Sequence, residues 1–209
     1  MQECSKALLR RMHDVRFATR YFVGSGIDIG AGDDSLDDFR ELFPLISRVM
    51  EWDHMDGDAQ ALDGLADDTF DFAHSSHCLE HMVDPHAALA RWVAVVKPGG
   101  HVVITVPDED LYEQGVFPSD FNNDHKWSFS IQKARSWSPG HVNLFDLLAR
   151  LEDRVQVIKV ELMDHAFRFR LPRIDQTDKS IAECSIEIVL RKRPAAERER
   201  GGRLPDLMR

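Results

Sequence analysis

The sequence predicts an α/β fold with a mostly parallel sheet and an antiparallel C-terminal edge, and three features predict it. Between residues 23 and 107, short apolar runs alternate with helical patterns, the order in which parallel strands are joined by crossovers. The run "HVVITVP" (101–107) is apolar without alternation, as a parallel strand covered on both faces must be. Finally, "VQVIKVEL" (155–162) and "CSIEIVL" (184–190) read as an antiparallel pair, the second with a period of two.

The elements follow in order. Leu8, Met12, Val15, Thr19 and Phe22 recur at helical spacing and predict a leading amphipathic helix over 5–22, with Arg10, Arg11, Arg16 and Arg20 mostly elsewhere on the wheel. A short strand centred on Ile27–Ile29 runs into glycines and an Asp/Ser-rich helix start. "SRVMEWD" (47–53) and "FDFAHSS" (70–76) read as the next two strands. Asp84 and Pro85 form an N-cap and a first-turn proline ahead of Leu89, Trp92, Val93 and Val96, a helix that stops at "KPGG". A further short helix is expected near 143–151.

A chain of 209 residues, 43% hydrophobic, suits one core, so a single domain over 1–193 is expected. Residues 108–140 are too long for a simple connection and are expected to form a lid insertion, while 194–209, within a basic stretch of Pro and Gly without apolar periodicity, are expected to be a disordered tail. Acidic residues outnumber basic ones 36 to 26, which argues against nucleic acid as the partner. No run approaches the roughly 18 apolar residues of a membrane helix. Cys4, Cys78 and Cys184 are odd in number and far apart, as reduced thiols in a cytoplasm would be, and they rule out a four-cysteine zinc site. A cytoplasmic protein is expected.

The turn Gly30-Ala31-Gly32 follows a strand and precedes a helix start, which aims backbone N–H groups at a ligand and lets it approach closely. Asp53 lies about twenty residues on, where an acid can grip a ribose hydroxyl, but Ser35 occupies the third glycine position of the dinucleotide fingerprint. The turn alone would serve any adenosine cofactor, NAD included.

The neighbouring blocks narrow the choice. D-x-G-x-G at Asp28–Gly32, "GDAQAL" after Asp53, "FDFAHSSHCLEH" and "VVKPGGHVVITVP" stand in an order and spacing that resemble the class I S-adenosylmethionine-dependent methyltransferases over residues 24–107. The resemblance implies a Rossmann-like three-layer sandwich with S-adenosylmethionine as cofactor. It also implies that Gly30 and Gly32, with Asp28 beneath them, receive the methionine part, that Asp53 holds the ribose, and that Asp58 and Ala59 meet the adenine edge. Ser75 and Ser76 would line the methyl side. Two departures stand out: Asp34 replaces the usual third glycine, and only four residues separate Asp53 from Asp58, so one sheet edge is expected to be truncated.

Residues 74–86, "HSSHCLEHMVDPH", hold four of the ten histidines, and His77, Glu80 and His81 spell the inverted zinc-protease pattern. That chemistry needs both histidines on a sustained helix, whereas this segment follows a strand and soon meets Asp84-Pro85. No metal is assigned; Glu80 and His81 are expected to be structural or to face the cofactor.

The lid carries Tyr112, Phe117, Phe121, Trp127, Phe129 and Trp137. An apolar acceptor pocket is expected there, with His125 as general base because an imidazole titrates near neutrality, and with Asp124 orienting it or binding substrate. The expected activity is methyl transfer to an O or N of a small molecule, a sugar or glycan precursor among the options. A nicotinamide-dependent oxidoreductase and a non-catalytic cofactor-binding protein are the rivals.

Overall fold

The computed structural model describes residues 3–173 and 182–203. After the helix α1 (Glu3–His13), the strands β1 (Gly24–Ile29), β2 (Ile46–Trp52) and β3 (Phe70–Ser76) lead to the helix α2 (Pro85–Val95) and the strand β4 (Val96–Pro107). The lid region contributes β5 (Ser128–Ser130), followed by β6 (His141–Asn143) and the helix α3 (Leu144–Ala149). β7 (Val155–Met163), β8 (Ser185–Lys192) and the short helix α4 (Ala195–Glu199) complete the order.

Six strands form one sheet in the order β2-β1-β3-β4-β8-β7, and β5 with β6 form a small second sheet. The first four strands are parallel, while β8 runs antiparallel to both β4 and β7. This is the expected α/β sheet with its antiparallel edge. The chain passes from β2 to β3 without an intervening strand, so β2 is the outer edge, as the short Asp53–Asp58 spacing implies.

Alternation along each strand divides the core into two layers. Ile27, Ile29, Val102, Ile104, Ile186 and Ile188 pack with Leu89, Trp92 and Val93 of α2 and with Leu144 and Leu148 of α3. On the other face, Phe72, Val103 and Val189 pack with Cys4, Phe17, Tyr21, Phe22, Leu36 and Phe43. α2 starts where its sequence says: the Asp84 carboxylate accepts the N–H groups of His86 and Ala87, and Pro85 needs no donor at the first position.

Two expectations about local structure need correction. The leading helix does not run to residue 22: it ends at His13, and a separate wide turn (Phe17–Tyr21) drops Phe17, Tyr21 and Phe22 into the core. Its buried face is Glu3, Cys4, Ala7 and Arg11, whereas Met12 and Val15 are exposed. The arginine is drawn inward because β8 and β3 present Glu187 and His74 beneath it. At the other end, residues 195–199 of the expected tail are helical, with Glu197 paired to Arg191; residues 204–209 lie outside the described residues. Among the described residues no helix is long and apolar enough to cross a membrane.

Candidate active site

A cleft of about 640 Å³ opens at the C-terminal ends of β1, β2 and β3, the edge at which open α/β sheets bind ligands. Asp28, Gly30, Gly32, Asp53, Asp58 and Ala59 line one part of it, and Ser76, His77, His81, Met82, Asn122 and Asp124 another. The topology therefore unites the glycine turn, the acid after the second strand, and a segment of the lid.

The glycine turn is built from below. Gly30, at φ +75°, donates its N–H to the Trp52 carbonyl, and a Cβ there would stand 2.6 Å from the Cys78 Sγ. Gly32, at φ +54°, faces open space with no atom within 4 Å of a Cβ, which leaves its flank clear for a ligand. Asp28 holds this loop: one carboxylate oxygen accepts the Leu36 N–H at 2.6 Å, and the other accepts from His74 Nδ1 at 2.6 Å. Arg11, 3.0 Å from His74 Nε2, can only donate, so His74 is the neutral tautomer with its proton on Nδ1.

Asp34 also finds a use. Its carboxylate accepts the Ser5 N–H at 3.0 Å, which ties the first turn of α1 over the loop and brings Glu3 and Cys4 to the cleft wall. Nothing in the leading sequence signals this, because the partner lies 29 positions away.

At the far side of the ligand space, Asp53 follows the last residue of β2 with its side chain 42% exposed, one oxygen accepting the His54 N–H. Asp58 caps a turn through the Gln60 N–H, and the Ala59 carbonyl accepts from Trp92 Nε1. Ser75 does not line the cleft. It is buried, its hydroxyl donating to the Ile29 carbonyl, whereas Ser76, expected beside it, does line the cleft at the strand end.

Segment 108–140, the expected lid, reaches the cleft through polar groups. Asn122 and Asp124 line it, while Tyr112 and Phe129 are wholly buried and none of the six lid aromatics faces it. The rings of 108–140 thus lie away from this cleft, in a segment held to the core where the Glu80 carbonyl accepts the Lys126 and Trp127 N–H groups.

His125 is likewise set back. It is 3% exposed, outside the cleft lining, with Nδ1 donating to Glu113 at 2.7 Å and its ring stacked on Tyr112. The imidazole that meets Asp124 at the cleft is His81, from the turn after β3, whose Nδ1 lies 3.1 Å from the Asp124 carboxylate. This removes His125 from the place a base acting directly on an acceptor would need.

Charge in this region is strongly coupled. Burial pushes the Glu80 carboxyl up to about 7, with the positive His125 side chain opposing the rise. Burial and the charge of His125 lower His77 and His81. Burial works against protonation of His125 too, but the Glu113 hydrogen bond and the charges of Glu80 and Glu113 prevail and raise it. Burial also pushes the Cys78 thiol up to about 12, so that thiol is no nucleophile at neutral pH.

The lining fits a cationic, nucleoside-type cofactor. Asp28, Asp33, Asp34, Asp53 and Asp58 line the cleft around the glycine turn, and the space beside Gly32 is open.

Comparison with known proteins agrees with this geometry. A family model described as a methyltransferase domain matches residues 8–154. The chain is 38% identical over 58 residues to an uncharacterized methyltransferase of Schizosaccharomyces pombe, and this match spans 28% of the chain and 20% of that relative. Among solved structures, an S-adenosylmethionine-dependent methyltransferase from Archaeoglobus fulgidus superimposes with a TM-score of 0.56 at 17% identity, covering 88% of this chain and 94% of that one. A chain from the complex of the Haloferax volcanii Trm112 methyltransferase activator with a candidate methyltransferase gives 0.52 at 16% identity, covering 91% and 94%.

Proposed function

The chain belongs to the methyltransferase domain family and its cofactor is S-adenosylmethionine, and from that premise we propose that it methylates an oxygen or nitrogen of a small molecule. The observation that carries the proposal is the two-part cleft: nucleoside-binding features at one part, and Ser76, His81, Asn122 and Asp124 at the other.

When bound, the cofactor supplies an electrophilic methyl group on a sulfonium. Gly30 and Gly32 would hold its methionine part, Asp53 its ribose hydroxyls, and Asp58 and Ala59 the adenine edge. Asp28 acts one step back, fixing the turn through the Leu36 N–H. On the acceptor side the polar groups are the Ser76 hydroxyl, the His81 imidazole, the Asn122 amide and the Asp124 carboxylate, which suit a polyhydroxylated compound such as a sugar better than an apolar one.

Asp124 is the carboxylate placed to orient the acceptor's O–H or N–H, and against the effect of burial Lys126, with His81 second, holds it below its usual pKa, so it is an anion at neutral pH. Orientation supplies much of the rate in an in-line displacement. His125, behind the wall, positions the segment that carries Asp124 by its bond to Glu113.

The test is transfer of a labelled methyl group to a panel of hydroxyl and amine compounds, sugars included, by the wild type and by Asp124→Asn. The variant is expected to lose roughly 10–100-fold in kcat/KM, the value of one charged hydrogen bond, with unchanged affinity for S-adenosylhomocysteine. Equal rates in the two proteins would remove Asp124 from the reaction, and transfer only to macromolecules would overturn the small-molecule reading. Gly32→Val bears on the cofactor part: a β-branched residue at φ +54° is strained and fills the ligand space. Its S-adenosylhomocysteine affinity, measured by calorimetry, is expected to fall by at least about tenfold, a penalty of about 1.4 kcal/mol.

A further inference from the structure

Beside the cleft, the ring nitrogens of three histidines face one carboxylate. The Glu80 Oε1 atom lies 3.7 Å from His77 Nδ1, 4.0 Å from His81 Nε2 and 3.8 Å from His125 Nε2, all too long for hydrogen bonds. Glu80 and His125 are fully or almost fully buried, and neither carboxylate oxygen of Glu80, nor His125 Nε2, nor His77 Nδ1, has a hydrogen-bond partner among the described residues. Buried polar atoms of this kind are rare and call for an explanation.

The far side of each ring shows what the near side offers. His125 Nδ1 donates to Glu113 at 2.7 Å, and His81 Nδ1 to Asp124 at 3.1 Å. The Ser185 hydroxyl gives its hydrogen to the Glu183 carbonyl, so His77 Nε2, 2.6 Å away, must donate to Ser185 Oγ. Every ring is thereby left, in its neutral form, with a lone pair on the nitrogen turned toward Glu80. With the rings neutral and Glu80 ionised, acceptors converge there and no donor among the described residues meets them. A carboxylate or hydroxyl gripping the outer nitrogen of each histidine is also the arrangement that orients metal-binding imidazoles.

We propose that Glu80, His81 and His125 bind a divalent transition-metal ion, with His77 beside them on the same carboxylate. Their ligand atoms lie within 4.8 Å of one another. Two imidazoles and one carboxylate favour ions of the manganese, iron or zinc type over magnesium or calcium. His77 and His81 line the cleft, so the ion would stand directly behind its wall, where movement of either ring would let it take an oxygen of the methyl acceptor. That use of the ion rests on the methyltransferase reading, whereas the binding of the ion does not.

The test is calorimetric titration of the chelator-stripped full chain with Mn²⁺ and with Zn²⁺, followed by S-adenosylhomocysteine on the same samples. One equivalent of metal is expected to bind the wild type, at least tenfold more weakly to His81→Gln and to His125→Gln, and about 10–100-fold more weakly to Glu113→Gln, which alters only the orienting group. Retained S-adenosylhomocysteine binding shows that each variant is folded. Protein that binds S-adenosylhomocysteine but no metal, or that binds metal equally in wild type and variants, overturns the site. Metal bound specifically by a chain that ignores S-adenosylhomocysteine upholds the site and sinks the cofactor assignment instead.

Discussion

Asp53→Ala is expected to weaken S-adenosylhomocysteine binding by roughly 10–100-fold while leaving the fold intact, because a carboxylate that accepts ribose hydroxyls makes charge-assisted hydrogen bonds worth about 1.5–3 kcal/mol. Its position supports both halves of that statement. Asp53 stands just beyond β2, where the strand end delivers its side chain to the cleft wall beside His54, Gly57 and Asp58. Its protein contacts are local: the carboxylate accepts the His54 N–H, and its own N–H donates to Asp56. Removing the carboxylate therefore unpairs no buried group. Calorimetry on wild type and variant reads the affinity, and thermal unfolding without ligand reads the fold. A variant that binds as tightly as the wild type would take Asp53 out of the cofactor site.

Glu187→Gln is expected to destabilise the protein by about 3–5 kcal/mol, the cost of breaking a buried ion pair and stranding a charge. Glu187 is wholly buried on β8 and meets Arg10 at 2.7 Å, Arg11 at 3.0 Å and Lys159 at 2.9 Å. These cations hold its carboxyl far below the usual range in spite of burial. Arg11, whose side chain is itself fully buried, would keep its charge beside a neutral amide. A chain of this length loses about 2–4 °C of Tm per kcal/mol, so a fall of roughly 10 °C is expected in a calorimetric scan at neutral pH. A change under 2 °C would show that Arg10 and Arg11 are satisfied without Glu187.

The same network shows how the cleft depends on the far side of the sheet. Arg11 donates to His74, His74 to Asp28, and Asp28 accepts the N–H that sets the glycine turn. The turn, β1, β3, the α2 cap and the strand pair β7–β8 were all legible in the sequence, because each follows from neighbours in the chain: glycines after an apolar run, aspartate before proline, alternation. The inward face of α1 was not, since Arg11 sits there only because Glu187 and His74 arrive from residues far along the chain. The lid aromatics and His125 show the same limit. Composition announces rings and an imidazole, but whether they face the cleft or the interior depends on how Glu80 pins the segment at Lys126 and Trp127.

What the sequence determined by itself was the α/β fold, the order of its strands in the chain and the glycine turn with an acid after the second strand, all encoded in short-range pattern, while the resemblance to known methyltransferases pointed to Asp58 and Ala59. Tertiary structure alone decided that of the two serines only Ser76 lines the cleft, that Asp124 faces it while His125 does not, and that His125 comes from a distant stretch to join His77 and His81 around Glu80. The physical reason is that a side chain's direction on a strand or turn is local, whereas its partner, burial and charge are set by whichever element packs across from it.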